Sequence, residues 1–312
     1  MAVSTQYSRR ELLQGAGALA LAMPLPLALP AAAFANSIVK SGEREVFTFS
    51  DGQLSVPMSI AADEQKPEAL AAVLKAGGMP TDRNIAPLNV TAIRDGASYT
   101  FIDCGAGARF IEGSGKLAGA LEAANIDREK VERVIFTHAH PDHLWGALDE
   151  FDEPLFPNAK FMMPLTDRDF WMSADNLDKA PEDRKQFFAG AQRVIKGLGD
   201  RLSTFKAGDE VASGIMALDT SGHTPGHVSL EVKTGSESLI VLGDALTHPL
   251  ISFQHPEWKP GSDQDKDRAI ATRRKLLERL AAEKLRIIGY HLPGTGAGRA
   301  EKAGSAWRFV AG

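Results

Sequence analysis

Residues 137–143 of this 312-residue chain read Thr-His-Ala-His-Pro-Asp-His and directly follow the apolar run Val131–Phe136. A short apolar run rich in β-branched residues predicts a buried strand, and a loop at its end can aim several side chains at one point. Neutral imidazoles and a carboxylate suit a borderline metal such as zinc. The chain has only eight histidines, so three of them beside one aspartate argue against a chance polar loop. This stretch therefore predicts part of a metal site.

Three later stretches repeat the pattern of an apolar run that ends in a ligand-type residue. His223 follows Ile215–Leu218, Asp244 follows Leu239–Leu242, and His291 follows Leu285–Ile288. Any one of these residues alone is more often an ordinary turn residue. Their shared placement after predicted strands, together with residues 137–143, favours a common site instead.

The composition narrows the range of functions. The chain is 44% hydrophobic and 24% charged, with a formal net charge of -5, which is typical of a soluble globular protein. The sequence has no basic tract, so nucleic acid is not an expected partner. The single cysteine, Cys104, rules out an internal disulfide framework and a cysteine-rich metal site. Its apolar surroundings predict a buried, inert thiol.

Residues 1–35 resemble an export signal. Arg9 and Arg10 are followed by leucines, by the apolar stretch Gly15–Ala33, and by Ala33-Phe34-Ala35, which is a small-x-small cleavage site. The arginine pair resembles a twin-arginine (Tat) signal. A membrane anchor is the alternative, but prolines interrupt the apolar stretch. We therefore expect an exported protein, periplasmic or secreted and without stable membrane anchoring, whose folded domain spans residues 36–312.

The remaining patterns predict one α+β domain. Turn residues predict two hairpins, one with strands Glu45–Phe49 and Gln53–Pro57 around Ser50-Asp51-Gly52, the other with Asn89–Ile93 and Tyr99–Asp103 around Asp95-Gly96. Apolar residues at helical spacing predict helices at Pro67–Ala76, Lys116–Ala124, Pro181–Lys196 and Asp265–Ala282. The glycine-rich tail after His291 is expected to wrap the surface. Strands and helices recur in both halves, which predicts two sheets packed face to face with helices outside.

From about Phe47 to His291, the chain resembles the metallo-β-lactamase superfamily. The resemblance rests on His-x-His-x-Asp-His at 138–143, a later Gly-His, a strand-end Gly-Asp and a final His. It implies a four-layer αβ/βα sandwich with a dinuclear metal site at one edge. It also implies that His138, His140 and His223 bind one metal, that Asp142, His143 and His291 bind the other, that Asp244 bridges the pair, and that Asp103 supports the loop from behind.

A narrower resemblance is to methyl parathion hydrolase and its lactonase-like relatives. It rests on Phe156-Pro157-Asn158-Ala159, Asp169-Phe170-Trp171 and Gly222–His227. It implies that Trp171 and Phe188 line an apolar substrate pocket; the alternative is that both face the core. The segment Thr247–Trp258 departs from that family, so His248, His255 and Trp258 are left without a role. His227 is not expected to bind metal.

These features together predict an exported, dinuclear metal-dependent hydrolase. Two divalent cations about 3.5–4 Å apart would lower the pKa of a shared water, and the bridging hydroxide would attack a carbonyl or phosphoryl centre. Asp142 would orient that nucleophile or accept its proton. Zinc is the expected metal, with manganese, iron and cobalt as alternatives.

The expected substrate is a small, fairly apolar lactone, ester or phosphotriester. The alternatives are a β-lactamase or a thioester hydrolase on the same site, and after these a non-catalytic, metal-stabilised binding protein. The sequence leaves a homodimer open.

Overall fold

The computed structural model describes residues 35–41 and 44–312, so the predicted export signal lies outside the described residues except for Ala35. The described strands form two seven-stranded sheets. Sheet one runs in chain order through β1 Ala35–Ser41, β2 Arg44–Pro57, β3 Arg83–Asp95, β4 Ser98–Ile102, β5 Val131–Ile135, β6 Lys160–Pro164 and β7 Leu202–Phe205. Sheet two likewise contains β8 Glu210–Ala212, β9 Ile215–Asp219, β10 Val228–Thr234, β11 Glu237–Val241, β12 Arg286–Ile288, β13 Ala297–Ala303 and β14 Ala306–Ala311.

Helices cover the outer faces of both sheets. They are α1 Pro67–Ala76, α2 Leu117–Ala123, α3 Pro141–Leu144, α4 Leu165–Met172, α5 Ala174–Lys179, α6 Lys185–Leu198, α7 Ile251–Gln254 and α8 Lys266–Ala282. Side chains alternate along each strand, so β5 serves two cores: Val134 packs towards α2, α4 and α6, and Ile135 packs between the sheets. Helices α7 and α8 pack on sheet two. The predicted α+β sandwich of four layers is confirmed.

The predicted helices are present with small shifts at their ends. Helix α6 begins at Lys185 rather than Pro181, because a 3-10 turn over Glu182–Arg184 precedes it. Helix α8 is capped by Asp265, whose carboxylate accepts the Arg268 backbone N–H at 3.0 Å. Among the described residues, no helix has the length and apolar character needed to cross a membrane.

The first predicted hairpin is wrong. Strand β2 continues from Arg44 to Pro57 along β3, with an irregularity in register between Ser50 and Gln53. The cause is Asp51, whose buried carboxylate accepts backbone N–H groups of Ala106 at 2.8 Å, Gly115 at 3.1 Å and Leu117 at 2.8 Å. Asp-Gly therefore forms a bulge rather than a turn. Burial raises the pKa of Asp51 to about 6, although the three N–H groups oppose that shift.

The expectation for the tail is also wrong. After His291 the chain forms the antiparallel pair β13 and β14, and β13 joins β12 at the edge of sheet two. Ala300 and Trp307 are buried against α8 and its neighbours, so the tail contributes to the core. The alternation in Ala306–Ala311 was the signal for a strand, and the surrounding glycines concealed it. The second hairpin, at Asp95-Gly96, and the buried position of Cys104 are confirmed.

Candidate metal centre

Seven candidate ligands meet where loops leave β5, β9, β11 and β12. The loop after β5 carries four of them, and its geometry comes from a single turn. His140 is extended at φ -65° and ψ 156°, and Pro141 begins the four-residue helix α3. Proline suits the first helical position because its missing N–H would lack a helical partner there. His138 and His140 therefore precede the turn, Asp142 and His143 lie within it, and the four side chains divide between two groups.

The first group contains three imidazoles and one carboxylate. His138 Nε2 lies 3.1 Å from His140 Nδ1, which lies 2.8 Å from His223 Nε2. Asp244 Oδ2 is 3.2 Å from His223 Nε2. All four side chains are buried. Three nitrogen atoms and an oxygen atom thus lie close together, and their role as ligands of a first metal stays a prediction.

The second group contains Asp142, His143 and His291, and Asp244 of the first group also contacts it. His291 Nε2 is 3.3 Å from Asp142 Oδ2 and 3.3 Å from Asp244 Oδ2. Asp244 Oδ1 is 3.2 Å from His143 Nε2. One Asp244 carboxylate therefore faces both groups, which is the geometry that a bridging ligand needs.

Outer hydrogen bonds assign the tautomers of four histidines. The Nδ1–H of His143 donates to Asp103 Oδ2 at 2.8 Å, and that of His223 donates to Asp263 Oδ1 at 3.0 Å. In the same way His291 donates to the Pro87 carbonyl at 2.9 Å, and His138 donates to Thr137 Oγ1 at 3.0 Å. A neutral imidazole has one N–H, so the Nε2 atoms that face inward carry lone pairs.

The inward-facing atoms fit metal ions. Among the described residues, His143 Nε2 and Asp244 Oδ1 are buried without a hydrogen-bond partner, although they lie 3.2 Å apart. Both atoms carry lone pairs, and a buried cluster of lone pairs is unfavourable unless cations lie between them. Imidazole and carboxylate donors match zinc and similar divalent metals.

Without metal, protons take the place of the cations. Burial alone would lower the pKa of each histidine, but Asp244 and neighbouring carboxylates raise the pKa of His223 to about 9 and that of His291 to about 10. Burial lowers the pKa of His143, but Asp244 and Asp103 outweigh burial and hold this pKa well above its usual value. Burial and adjacent imidazoles instead hold the pKa of His138 and His140 well below the usual value. Metal binding at this site would therefore release protons.

Asp103 lies behind the loop after β5, and its part in supporting a metal site stays a prediction. Its Oδ1 accepts the Thr137 backbone N–H at 2.8 Å, and its Oδ2 accepts from the Thr137 hydroxyl at 2.9 Å as well as from His143. The residue has φ 66°, a left-handed conformation that aspartate tolerates better than most residues. Asp103 thus orients His143 and anchors the start of the ligand loop.

Two further residues hold the ligand loops, and the sequence pattern did not identify their roles. His227 Nε2 accepts the Asp244 backbone N–H at 2.9 Å, and its Nδ1–H donates to the Thr220 carbonyl at 3.1 Å. Asp167 accepts the backbone N–H groups of Ala139 at 2.7 Å and Gly226 at 3.3 Å. It therefore joins the loop after β5 to the loop before β10. The Gly-His-Thr-Pro-Gly-His turn marked His227, but no local pattern marked Asp167.

A small cleft opens over the two groups. It has a volume of about 140 Å³, and it is lined by His140, Asp142, His223, Asp244 and His291 together with Leu54, Val56, Ile60, Phe110, Arg184, Phe187 and other residues. An adjacent chamber of about 470 Å³ shares His140, Arg184, Phe187 and Ser262 with this cleft. The walls are largely apolar, and Arg184 and Phe187, for which the sequence predicted no role, border both spaces.

Trp171 and Phe188 line the larger chamber and also belong to the core. They are 2% and 4% exposed, their ring centroids are 4.7 Å apart, and the Trp171 ring lies 5.6 Å from the His140 ring. The core alternative therefore applies to both side chains, which also border the chamber. Their role in binding substrate stays a prediction.

The segment Thr247–Trp258 contains structural histidines. His248 is buried, and its Nδ1 accepts backbone N–H groups of Leu250 at 3.2 Å and Ile251 at 3.1 Å, at the start of α7. The His255 ring stacks on Trp258 with centroids 4.2 Å apart. Neither histidine belongs to the two groups of candidate ligands.

The chain matches known proteins in sequence and in fold. Residues 85–290, more than half of the chain, match the family model of the metallo-β-lactamase superfamily. Among curated proteins, the uncharacterized protein YobT of Bacillus subtilis (strain 168) is 30% identical over 161 residues, which are 51% of this chain and 62% of YobT. The match thus spans less than two thirds of that relative's length.

Solved structures give longer matches. AidC, described as a dizinc quorum-quenching lactonase, superposes with a TM-score of 0.83 at 26% identity and covers 89% of this chain and 97% of its own. The hydrolase AbOPH, described as a member of the beta lactamase superfamily, superposes with a TM-score of 0.82 at 25% identity over the same shares, 89% and 97%. A quorum-quenching N-acyl homoserine lactone lactonase shares the fold at a TM-score of 0.60 and 17% identity, covering 81% of this chain and 94% of its own.

Proposed function

Because the chain belongs to the metallo-β-lactamase superfamily, we propose that it is a dinuclear metal-dependent hydrolase that opens small, fairly apolar lactones. Its close structural neighbours are metal-dependent hydrolases of that superfamily. The observation that carries the proposal is the Asp244 carboxylate, which lies between two groups of imidazole and carboxylate donors and borders the cleft. Structural zinc sites are usually mononuclear and closed, so a paired, open site favours catalysis over a binding role.

His138, His140 and His223 would hold one metal, Asp142, His143 and His291 would hold the other, and Asp244 would contact both. Two divalent ions would supply a hydroxide nucleophile at neutral pH and stabilise the negative charge that develops on the attacked group. Zinc is the proposed metal because AidC is described as a dizinc lactonase.

The chain's own residues provide orientation and proton transfer. Asp142 borders the cleft, and its backbone carbonyl accepts the Tyr290 hydroxyl at 2.6 Å. Burial alone would raise the pKa of Asp142, but the neighbouring His143 and His291 hold it below its usual range. The carboxylate is therefore ionised at neutral pH, and it can orient a water molecule and accept its proton.

The walls of the cleft support an uncharged substrate. Leu54, Val56 and Ile60 face one side, and Phe110 and Phe187 form an edge-to-face pair with centroids 6.3 Å apart. A lactone ring fits the small cleft, and an attached apolar arm could extend into the larger chamber. Neutral phosphotriesters are the second candidate, because the resemblance to methyl parathion hydrolase and the same apolar walls favour them.

A substrate panel tests the proposal. Zinc-loaded protein would be assayed with N-acyl-homoserine lactones of short and long arms, a paraoxon-type triester, nitrocefin and a glutathione thioester. We expect kcat/KM for the best lactone to exceed that for nitrocefin and the thioester by about 10-fold or more. Faster turnover of nitrocefin or the thioester would contradict the proposal, and turnover of no substrate by protein with two bound metals would favour the binding role.

Export through the Tat pathway is a separate part of the proposal. Replacing Arg9 and Arg10 by lysine keeps the charge of the leader but removes the arginine pair. We expect this double variant to remain in the cytoplasm as the unprocessed chain, while the parent chain is found in the periplasm or the medium. Equal export of both chains would contradict the assignment.

A further inference from the structure

Behind His223 lies a buried ion pair. The Nδ1 atom of His223 is 3.0 Å from Asp263 Oδ1, and the other oxygen, Asp263 Oδ2, accepts from Arg273 Nη1 at 2.6 Å. The Asp263 and Arg273 side chains are 2% and 4% exposed. Buried charges are retained only when they are paired and fully hydrogen-bonded, so this pair must act as a unit with the imidazole.

Arg273 also holds the polypeptide that leads to Asp263. From helix α8, its Nε donates to the Pro256 carbonyl at 3.1 Å, and its Nη2 donates to the Trp258 carbonyl at 2.9 Å. A guanidinium presents five donors in a planar fork, so one side chain can fix several acceptors at once. The segment from Pro256 to Asp263, here called the rim segment, is therefore attached to α8 at three points.

The rim segment borders the substrate spaces. Ser262 lines the cleft over the candidate ligands, and Gly261 and Ser262 line the larger chamber. The Arg184 Nη2 atom donates to the Gly261 carbonyl at 3.1 Å, across the chamber wall. Directly after the rim segment, the Gln264 backbone N–H donates to the His223 carbonyl at 3.0 Å. The same stretch thus contacts both the substrate spaces and a candidate ligand.

We infer that Asp263 and Arg273 are positioning residues that make metal binding by His223 depend on an ordered rim segment. Asp263 sets the His223 tautomer and ring orientation, and Arg273 holds Asp263 in place only while the rim segment is folded against α8. Metal binding and the shape of the cleft wall are therefore coupled through one guanidinium. The inference rests on the proposed metal site, but not on the identity of the substrate.

Four single variants of the full-length protein, one double variant and the parent chain test the coupling. Arg273→Met removes the fork, and Arg273→Lys keeps a cation beside Asp263 but cannot reach all three acceptors. Lys275→Met is the control, because it removes one positive charge from an exposed position on the same helix. Asp103→Asn provides the comparison for the other group, since it weakens the support of His143. Zinc affinity would be measured by chelator competition, and the order of the rim segment by amide hydrogen exchange.

In Arg273→Met we expect one of the two zinc ions to bind about 10–100-fold more weakly, and exchange at residues 256–265 to become faster. For Arg273→Lys we expect a zinc affinity and an exchange rate between those of Arg273→Met and the parent chain. For Lys275→Met we expect both quantities to match the parent chain. Asp103→Asn should weaken binding of the other zinc ion, so the double variant Arg273→Met/Asp103→Asn should bind both zinc ions more weakly. In the parent chain, removal of zinc should speed exchange at residues 256–265, which tests the coupling even if a variant fails to fold.

Two results would overturn the inference. One is Arg273→Met binding two zinc ions with parental affinity although its rim segment exchanges faster, because Arg273 would then have a purely structural role. The other is unchanged exchange at residues 256–265 when zinc is removed from the parent chain. Absence of lactone turnover by a chain that shows the coupling would instead count against the proposed function alone.

Discussion

The two sheets supply candidate ligands in different ways. Sheet one supplies four of the seven through a single loop, residues 138–143 after β5, whereas sheet two supplies His223, Asp244 and His291 from three separate strand ends. The positions in the first set follow from one local turn at Pro141. The positions in the second set depend on the pairing of β9, β10, β11 and β12. The ligand positions that sheet two supplies should therefore be more easily disturbed by substitutions than those that sheet one supplies.

The support behind the ligands differs in the same way. His143 is held by Asp103, which directly follows β4, the strand paired with β5 in sheet one. His223 is held by Asp263, which lies 40 residues further along the chain and outside either sheet. Support within a sheet comes with strand pairing, but support from a separate segment requires that segment to be ordered as well.

The largest expected effect is at the residue that joins the two groups. Asp244→Ala should reduce kcat by about 10³-fold, the scale of losing one preorganised electrostatic group, and should lose most of one zinc ion. Metal analysis and steady-state kinetics measure both. The control is Glu237→Ala, at the exposed start of the same strand, β11. Retained turnover in Asp244→Ala would show that Asp244 does not contact both metals.

Removal of metal should make the stability of the fold depend on the protonation of two histidines in sheet two's set, His223 and His291. In the metal-free chain, the folded pKa of His223 is raised to about 9 and that of His291 to about 10, from a usual value of 6.5. Their protonation stabilises the fold fully below pH 6.5, and this stabilisation is lost as the pH rises through 9 and 10. We expect the Tm of the chelated protein to fall by roughly 5 °C or more across this window.

The zinc-loaded protein is the control for that measurement. Its imidazoles are neutral throughout, so its Tm should change less between pH 6.5 and 10, and the gap between the two forms should widen with pH. Parallel Tm curves for the loaded and chelated protein would contradict the assignment of these protons to His223 and His291.

A smaller effect, on the free energy of unfolding, is expected at Asp167, which joins a loop of sheet one to a loop of sheet two. Asp167→Asn replaces one acceptor oxygen by an amide that faces the N–H of Ala139 or Gly226. Leaving a buried donor unsatisfied costs about 1–3 kcal/mol in the free energy of unfolding, which urea denaturation of the zinc-loaded protein measures. Asp169→Asn, two residues away and exposed, is the matched control. Equal stability of the two variants would mean that Asp167 does not clamp the loops.

The smallest effect is expected in the apolar wall. Trp171→Phe keeps an aromatic ring in the core but reduces the apolar surface that lines the chamber next to His140. We expect KM for a long-armed lactone to rise about tenfold, with kcat nearly unchanged, because the lost contacts serve substrate and transition state alike. Phe151→Leu, at a side chain that is 77% exposed, is the control. An unaltered substrate profile in Trp171→Phe would place Trp171 in the core alone.

Local patterns were sufficient for most of the fold. Strand β5, helix α8 and the hairpin at Asp95-Gly96 are present where period and turn chemistry predicted them. The errors lie where a distant partner overrides a local signal. Asp51-Gly52 has the chemistry of a turn, but three backbone donors from residues 106–117 draw Asp51 inward, so the strand continues.

The sequence by itself determined the kind of site, because ligand type, spacing and placement after apolar runs are local properties of residues 138–143, His223, Asp244 and His291. Tertiary structure alone decided two of the residues that hold that site, Asp167 and Asp263. Asp167 reaches 28 residues back to Ala139, and Asp263 reaches 40 residues back to His223, so neither pair of partners falls within the short window that a helix or strand pattern occupies. The apolar wall around Phe187 and Arg184 was likewise decided by packing, because only the folded chain brings α6 beside the rim segment.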